Sequence, residues 1–318
     1  MTSTTIIAVG ELLVEFVSHQ EGCELRKLVE YSGPYPSGAP AICIDQASRV
    51  GATTQIFGAV GDDNFGKALT DRLAATGVGT TGISNISGKS TGVAFVSYYS
   101  DGSRTFIFHL NNTAADAIDF QSIALPDGPL ILHVSGSSLG NPNLRVAIES
   151  VAEQVIQRGG KISCDPNARP ELMSDPIVKK SLRRLVENSS FLFPSDVDLE
   201  YLYPDKSISD AITSLLADGT VIIALTQGER GSTIYSKDHG RFKLAGHQVN
   251  EIDPTGAGDC YCGTFLAMAA AGSPVDECGR YANAAGAMAV TKRGPMEGNS
   301  NLQDIESFIK NNPAIDRD

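Results

Sequence analysis

Residues 253–265 read DPTGAGDCYCGTF, and they set a carboxylate directly after backbone nearly bare of side chains. An apolar, alanine-rich run follows, so Asp259 falls at the mouth of a helix. The first N–H groups of a helix have no internal partner, and the helix dipole makes that end an anion site. Gly256, Ala257 and Gly258 let the backbone approach an anion with their amides turned inward. A carboxylate there repels the phosphate it neighbours. General base chemistry gives it a purpose: Asp259 can take the proton from a hydroxyl attacking phosphorus. The plainer reading is that Asp259 caps the helix.

Something must hold that turn in place. From about residue 128 onward, short apolar runs alternate with helical patterns: PLILHVSG, then NLRVAIESVAEQVIQRGG, KISCDPN, SSFLFPS, SISDAITSLLADG and TVIIALTQG. Continuous Val/Ile/Leu strands between amphipathic helices predict a parallel sheet covered on both faces. Such sheets bind ligands at the carboxyl ends of their strands. Two pieces break the rhythm with period-two strands, ELLVEFVS and RKLVEYSG in the first, TGVAFVSYYS and SRTFIFHL in the second. The expected fold is therefore α/β, a Rossmann-like three-layer core (1–10, 37–90 and 111–318) with a small projecting β-sheet lid (11–36 and 91–110).

The totals narrow the function classes. The 318 residues are 42% hydrophobic and 19% charged, the composition of a soluble globular chain. No apolar run is long enough to cross a bilayer, and Ile6–Val9 reads as a first strand, not a signal peptide. A net charge of −12 argues against nucleic acid. Six scattered cysteines without a CxxC pair suggest reduced thiols and a cytoplasmic protein. The histidines show no metal-ligand spacing. SNISGKS misses the Walker A spacing by one residue, and no GxGxxG follows the first strand.

DPTGAGD and its helix resemble the second signature of the PfkB family of ribokinase-like carbohydrate kinases. SGAPAICIDQASRVGATTQIFGAVGDDNFG resembles the first signature, and DPNARPEL, TQGERGS and ANAAGAMAVTKRGPMEG follow in family order, so the resemblance spans nearly the whole chain. It implies a sugar kinase using ATP and Mg²⁺, with Asp259 as base and Gly256, Ala257 and Gly258 as the anion hole. Thr226, Gly228 and Gly231 would border the ATP site, Asn283 would lie near the adenine, and Gly38 would touch the sugar. It leaves open a monovalent cation beside Asp253 and the 290s loop.

Departures from the family bear on substrate. Ser37, Gly38 and Ile42 stand where the family has a glycine pair and a sugar-binding asparagine. Glu15 replaces an aspartate that grips sugar hydroxyls, or else is a solvent-facing strand residue. SDVD replaces the magnesium-organising Asn-x-x-Glu, leaving Asp198 to act through water. Kinases of 2-keto-3-deoxygluconate carry an arginine where this chain has Leu110, and Arg169 alone remains for a carboxylate. An uncharged ketohexose, fructose or tagatose, is thus expected, with the ketoaldonate as alternative. A nucleoside kinase or a non-catalytic sensor on the same fold is a further reading. His109 either bonds a sugar hydroxyl or is an exposed strand residue, and Arg104 is read as structural. The open edge of the projecting sheet suggests a homodimer through the lid.

Overall fold

The computed structural model describes residues 3–100, 103–119, 121, 123–168 and 175–315. Strand β1 (Thr5–Val9) shows how the core is built. Ile6 and Ala8 enter one apolar cluster, while Ile7 and Val9 enter a second on the opposite face. Alternate side chains of a strand point to opposite faces, so a strand buried throughout must be covered on both sides.

The other strands are β2 (Leu13–Ser18), β3 (Tyr31–Ser37), β4 (Thr53–Gly61), β5 (Gly79–Ile86), β6 (Gly92–Tyr98) and β7 (Arg104–His109). They continue as β8 (Leu130–Ser135), β9 (Lys161–Asp165), β10 (Phe191–Leu192), β11 (Ile222–Thr226), β12 (Ser232–Ser236) and β13 (Gly240–Leu244). The main sheet runs β13-β12-β11-β10-β9-β8-β1-β4-β5. It is parallel from β11 to β5 and antiparallel only at the β12 and β13 edge.

Helices α1 (Ala39–Arg49) and α2 (Asn64–Ala75) pack in the first cluster. So do α7 (Ala257–Ala270), α8 (Val275–Ala289) and α9 (Leu302–Asn311). The second cluster holds α3 (Pro142–Gln157), α4 (Pro176–Glu187), α5 (Asp196–Leu202) and α6 (Ile208–Asp218). This is the expected three-layer arrangement. Helix α7 is buried nearly all round, which is why its sequence shows no polar face.

A separate four-stranded sheet has the order β3-β2-β6-β7. Its third strand in chain order, β6, lies parallel to β2. One expected strand is displaced: RKLVEYSG does not form it, and β3 begins at Tyr31 and carries Pro34 and Pro36. Leu28 stands fully exposed instead. Proline is tolerated here because β3 is an edge strand, where a missing donor costs no ladder bond. Among the described residues no helix is long and apolar enough to cross a membrane.

Candidate active site

Five parallel strands end on the same side of the main sheet. There β1 leads to Glu11, β8 to Ser137, β9 to Asn167, β10 to Ser195, and β11 ends at Thr226. All five residues line cavities at that end, as ligand sites in parallel sheets do.

Helix α7 closes the site from above. Its N-cap is Gly256, at φ 86° in the left-handed region, and no side chain caps the helix. A Cβ on Gly256 would overlap the Pro295 carbonyl oxygen, so the loop requires glycine both for its backbone angle and for space. The amides of the first turn thus remain available to a ligand. Asp259 is the third residue of the helix rather than its cap.

Three cavities meet at this turn. A central one of about 310 Å³ is lined by Gly256, Gly258, Asp259, Asp165, Asp198 and Arg104, among others. A groove of about 440 Å³ shares Thr226, Pro254 and Gly258 with it and runs out past Gly228, Gly231 and Asn283. A pocket beneath the small sheet shares Asn167, Gly256 and Asp259 with the central cavity. Asp259, 8% exposed, is the carboxylate that lines both. Ligands in the groove and in the pocket would therefore meet in the central cavity, with Asp259 between them.

The pocket beneath the small sheet owes its lining to strand alternation. Leu13 and Glu15 of β2 face it, as do Phe106, Phe108 and the following Leu110 on the β7 side. His109 has the opposite parity and does not line the pocket, which fits the exposed-strand reading and not the sugar contact: it is exposed, packs edge-on to Phe95 and lines another depression beside Asp63. Glu15 is 3% exposed, which removes its solvent-facing reading. The Ser37 hydroxyl donates to it at 3.3 Å, so two departures from the family motif answer each other. Gly38 and Ile42 also line the pocket, and Gly38 (φ 113°) lies too close to the Glu11 carbonyl to carry a side chain. Arg169 lies outside the described residues.

The groove brings together Thr226, Gly228, Gly231 and Asn283. The Asn283 amide donates to the Leu244 and Ala245 carbonyls, each at 3.2 Å, so it builds the groove wall. Asp198 and Ser195 form a reciprocal capping box on α5, and Asp198 also accepts from the Ala168 amide. Asp165 points toward the Gly256–Gly258 turn: a Cβ on Gly258 would sit 3.9 Å from its Oδ2. Two carboxylates lining the central cavity would fit a divalent cation that keeps most of its waters. No group of three or more His, Cys, Asp or Glu side chains able to hold a metal alone occurs among the described residues.

Asp165, Asn167, Arg104 and Glu11 are among the lining residues that escaped the sequence reading. Asp165 and Asn167 follow β9, and position at a strand's carboxyl end was a usable signal for both. Arg104, read as structural, lines the central cavity and reaches the Thr255 hydroxyl at 3.4 Å. Glu11 is buried in the sheet-covered pocket, and burial raises its carboxyl above the usual range against the pull of Ser138. Cys262 also lines the central cavity, but burial pushes its thiol well up, leaving it protonated and unreactive.

Known proteins resemble this chain in sequence and in fold. The model of the pfkB family of carbohydrate kinases matches residues 3–302. Fructokinase-2 of Solanum habrochaites is 31% identical over 97% of this chain and 97% of its own. A structure from E. coli with bound ATP and Mg²⁺, only provisionally named Ribokinase II, superposes with a TM-score of 0.90 at 38% identity, covering 97% of this chain and 99% of that one. A fructokinase from Vibrio cholerae, solved with fructose, ADP and calcium, shares the fold at a TM-score of 0.84 and 23% identity, over 96% and 99% of the two chains.

Proposed function

The chain belongs to the pfkB family of carbohydrate kinases, and on that premise we propose that it passes the γ-phosphate of ATP to a primary hydroxyl of an uncharged ketohexose, fructose or tagatose in type. The observation that carries the substrate class is the lining of the pocket under the small sheet. Glu11 and Glu15 stand there with Phe106, Phe108 and Leu110, and no Lys or Arg lines it among the described residues. Carboxylates accept hydrogen bonds from vicinal hydroxyls and repel a carboxylate ligand. The same lining disfavours 2-keto-3-deoxygluconate. Relatives named fructokinase point the same way.

In this reading ATP lies along the groove walled by Thr226, Gly228, Gly231 and Asn283, and its γ-phosphate meets the amides of Gly256, Ala257 and Gly258. Asp259 takes the proton of the sugar hydroxyl as the oxygen attacks in line. Arg104 reaches the transferring group from the small sheet. A Mg²⁺ ion held through Asp165 and, by way of water, Asp198 would screen the phosphate charge. Asp253, beside which a monovalent cation was left open, already accepts hydrogen bonds from the Tyr98 hydroxyl and the Thr255 and Gly294 amides.

Residues 11–36 and 91–110 act as the lid that excludes water, which otherwise competes as acceptor. A second copy adds to the lid's open edge, giving a homodimer. Six free, buried thiols suit a reducing compartment such as the cytoplasm.

The test is ADP release with ATP and Mg²⁺ across fructose, tagatose, ribose, 2-keto-3-deoxygluconate and adenosine, with Asp259→Asn alongside. We expect one ketohexose to turn over and the variant to lose nearly all turnover while still binding ATP. Preference for the ketoaldonate would overturn the substrate class, and full activity of the variant would overturn the base.

A further inference from the structure

Tyr98 and Arg104 are cross-strand partners where β6 ends and β7 begins. Both reach Thr255, the residue before the anion turn. The Tyr98 hydroxyl lies 2.6 Å from Thr255 Oγ1 and donates to Asp253 Oδ1. That same oxygen accepts from the Thr255 amide at 3.0 Å. Asp253 Oδ2 accepts from the Gly294 amide at 2.9 Å, in the loop whose Pro295 carbonyl abuts Gly256. Asp253 is wholly buried, where a carboxylate is tolerated only if donors surround it. One of those donors comes from the small sheet, 155 residues away in sequence.

We infer that Tyr98 is a positioning residue for phosphoryl transfer: its hydroxyl fastens the small sheet to the Asp253–Thr255 turn, so that the Gly256–Gly258 amides are held in place when the sheet lies over the sugar pocket. The inference rests on the transfer centre proposed above. Burial and the neighbouring Asp253 carboxylate keep the Tyr98 phenol far above its ordinary range, so it remains a donor throughout the working pH. The device is economical in structure. Lid position and anion-turn geometry share one hydroxyl.

Tyr98→Phe removes that hydroxyl and keeps the ring. In the full-length enzyme we expect kcat to fall at least tenfold while the KM for ATP stays within twofold. More ADP should be released per sugar phosphate formed, because a loosened lid admits water. Amide exchange across residues 253–259, followed by mass spectrometry with and without ATP, should quicken in the variant. A merely structural tyrosine would lower stability and leave the kcat-to-KM split and the ADP ratio unchanged, and that result overturns the inference. Unaltered exchange at 253–259 overturns it as well. If the parent enzyme phosphorylates no sugar yet exchange still quickens at the turn, the fastening stands and only the proposed acceptor falls.

Discussion

The Glu11 carboxylate accepts a 2.5 Å hydrogen bond from the Ser138 hydroxyl, joining the end of β1 to the turn after β8 beside the pocket under the small sheet. Burial is the larger influence on this acid and raises its pKa. An acid that holds its proton more tightly when folded supports the fold below the usual carboxylate range, and that support is lost as pH rises through the folded pKa. Glu11→Gln should therefore match or exceed the parent's stability at pH 8 in urea unfolding. Its KM for sugar should rise about tenfold with the KM for ATP unchanged, because only a charge-assisted bond to a hydroxyl is lost.

Arg104 reaches the central cavity from the small sheet, with its guanidinium 5.5 Å from the Phe106 ring centre. Arg104→Met should lower kcat by about 10² with little change in sugar KM, as expected for a donor directed at charge that develops during transfer. Arg104→Lys should recover part of the loss, since charge is restored without the planar fork. Steady-state kinetics on the three proteins decide it.

Gly256 admits no side chain. In Gly256→Ala the left-handed backbone angle and the Pro295 carbonyl both oppose the new methyl, so the turn must move. We expect kcat to fall by about 10²–10³, the usual effect of displacing one preorganised donor. ATP affinity, measured by calorimetry, should change much less, since the rest of the groove is untouched.

His133 lies in β8, wholly buried, with Nδ1 3.0 Å from the Ser163 hydroxyl. Burial lowers its pKa from 6.5 to about 4. The unfolded chain binds this proton first, so stability is full above pH 6.5 and declines as pH falls toward 4. The loss amounts to about 3 kcal/mol. In His133→Asn that part of the slope between pH 6.5 and 4 should vanish in thermal melts, whatever the variant's absolute stability.

How much of this was legible beforehand follows from the range of each signal. DPTGAGD and the apolar run after it announced a helix mouth built for an anion, because glycine spacing and helix-end chemistry are local. Continuous apolar runs such as PLILHVSG and TVIIALTQG announced a two-faced sheet for the same reason. Alternation in RTFIFHL already put Phe106, Phe108 and Leu110 on one face and His109 on the other, so parity could have chosen between the two readings of His109. The displaced β3 differs: its prolines disguise a strand that only an edge position permits.

What tertiary structure alone decided is which distant residues share a cavity. Glu11 meets Ser138 because β1 and β8 are neighbours in the sheet, although 127 residues separate them. Tyr98 reaches Asp253 because the small sheet overhangs the anion turn, and Ser37 answers Glu15 because β3 pairs with β2. Local sequence dictates backbone angles, periodicity and helix-end chemistry. Proximity between separate segments depends on strand order and layer packing, which are set by burying the whole core at once.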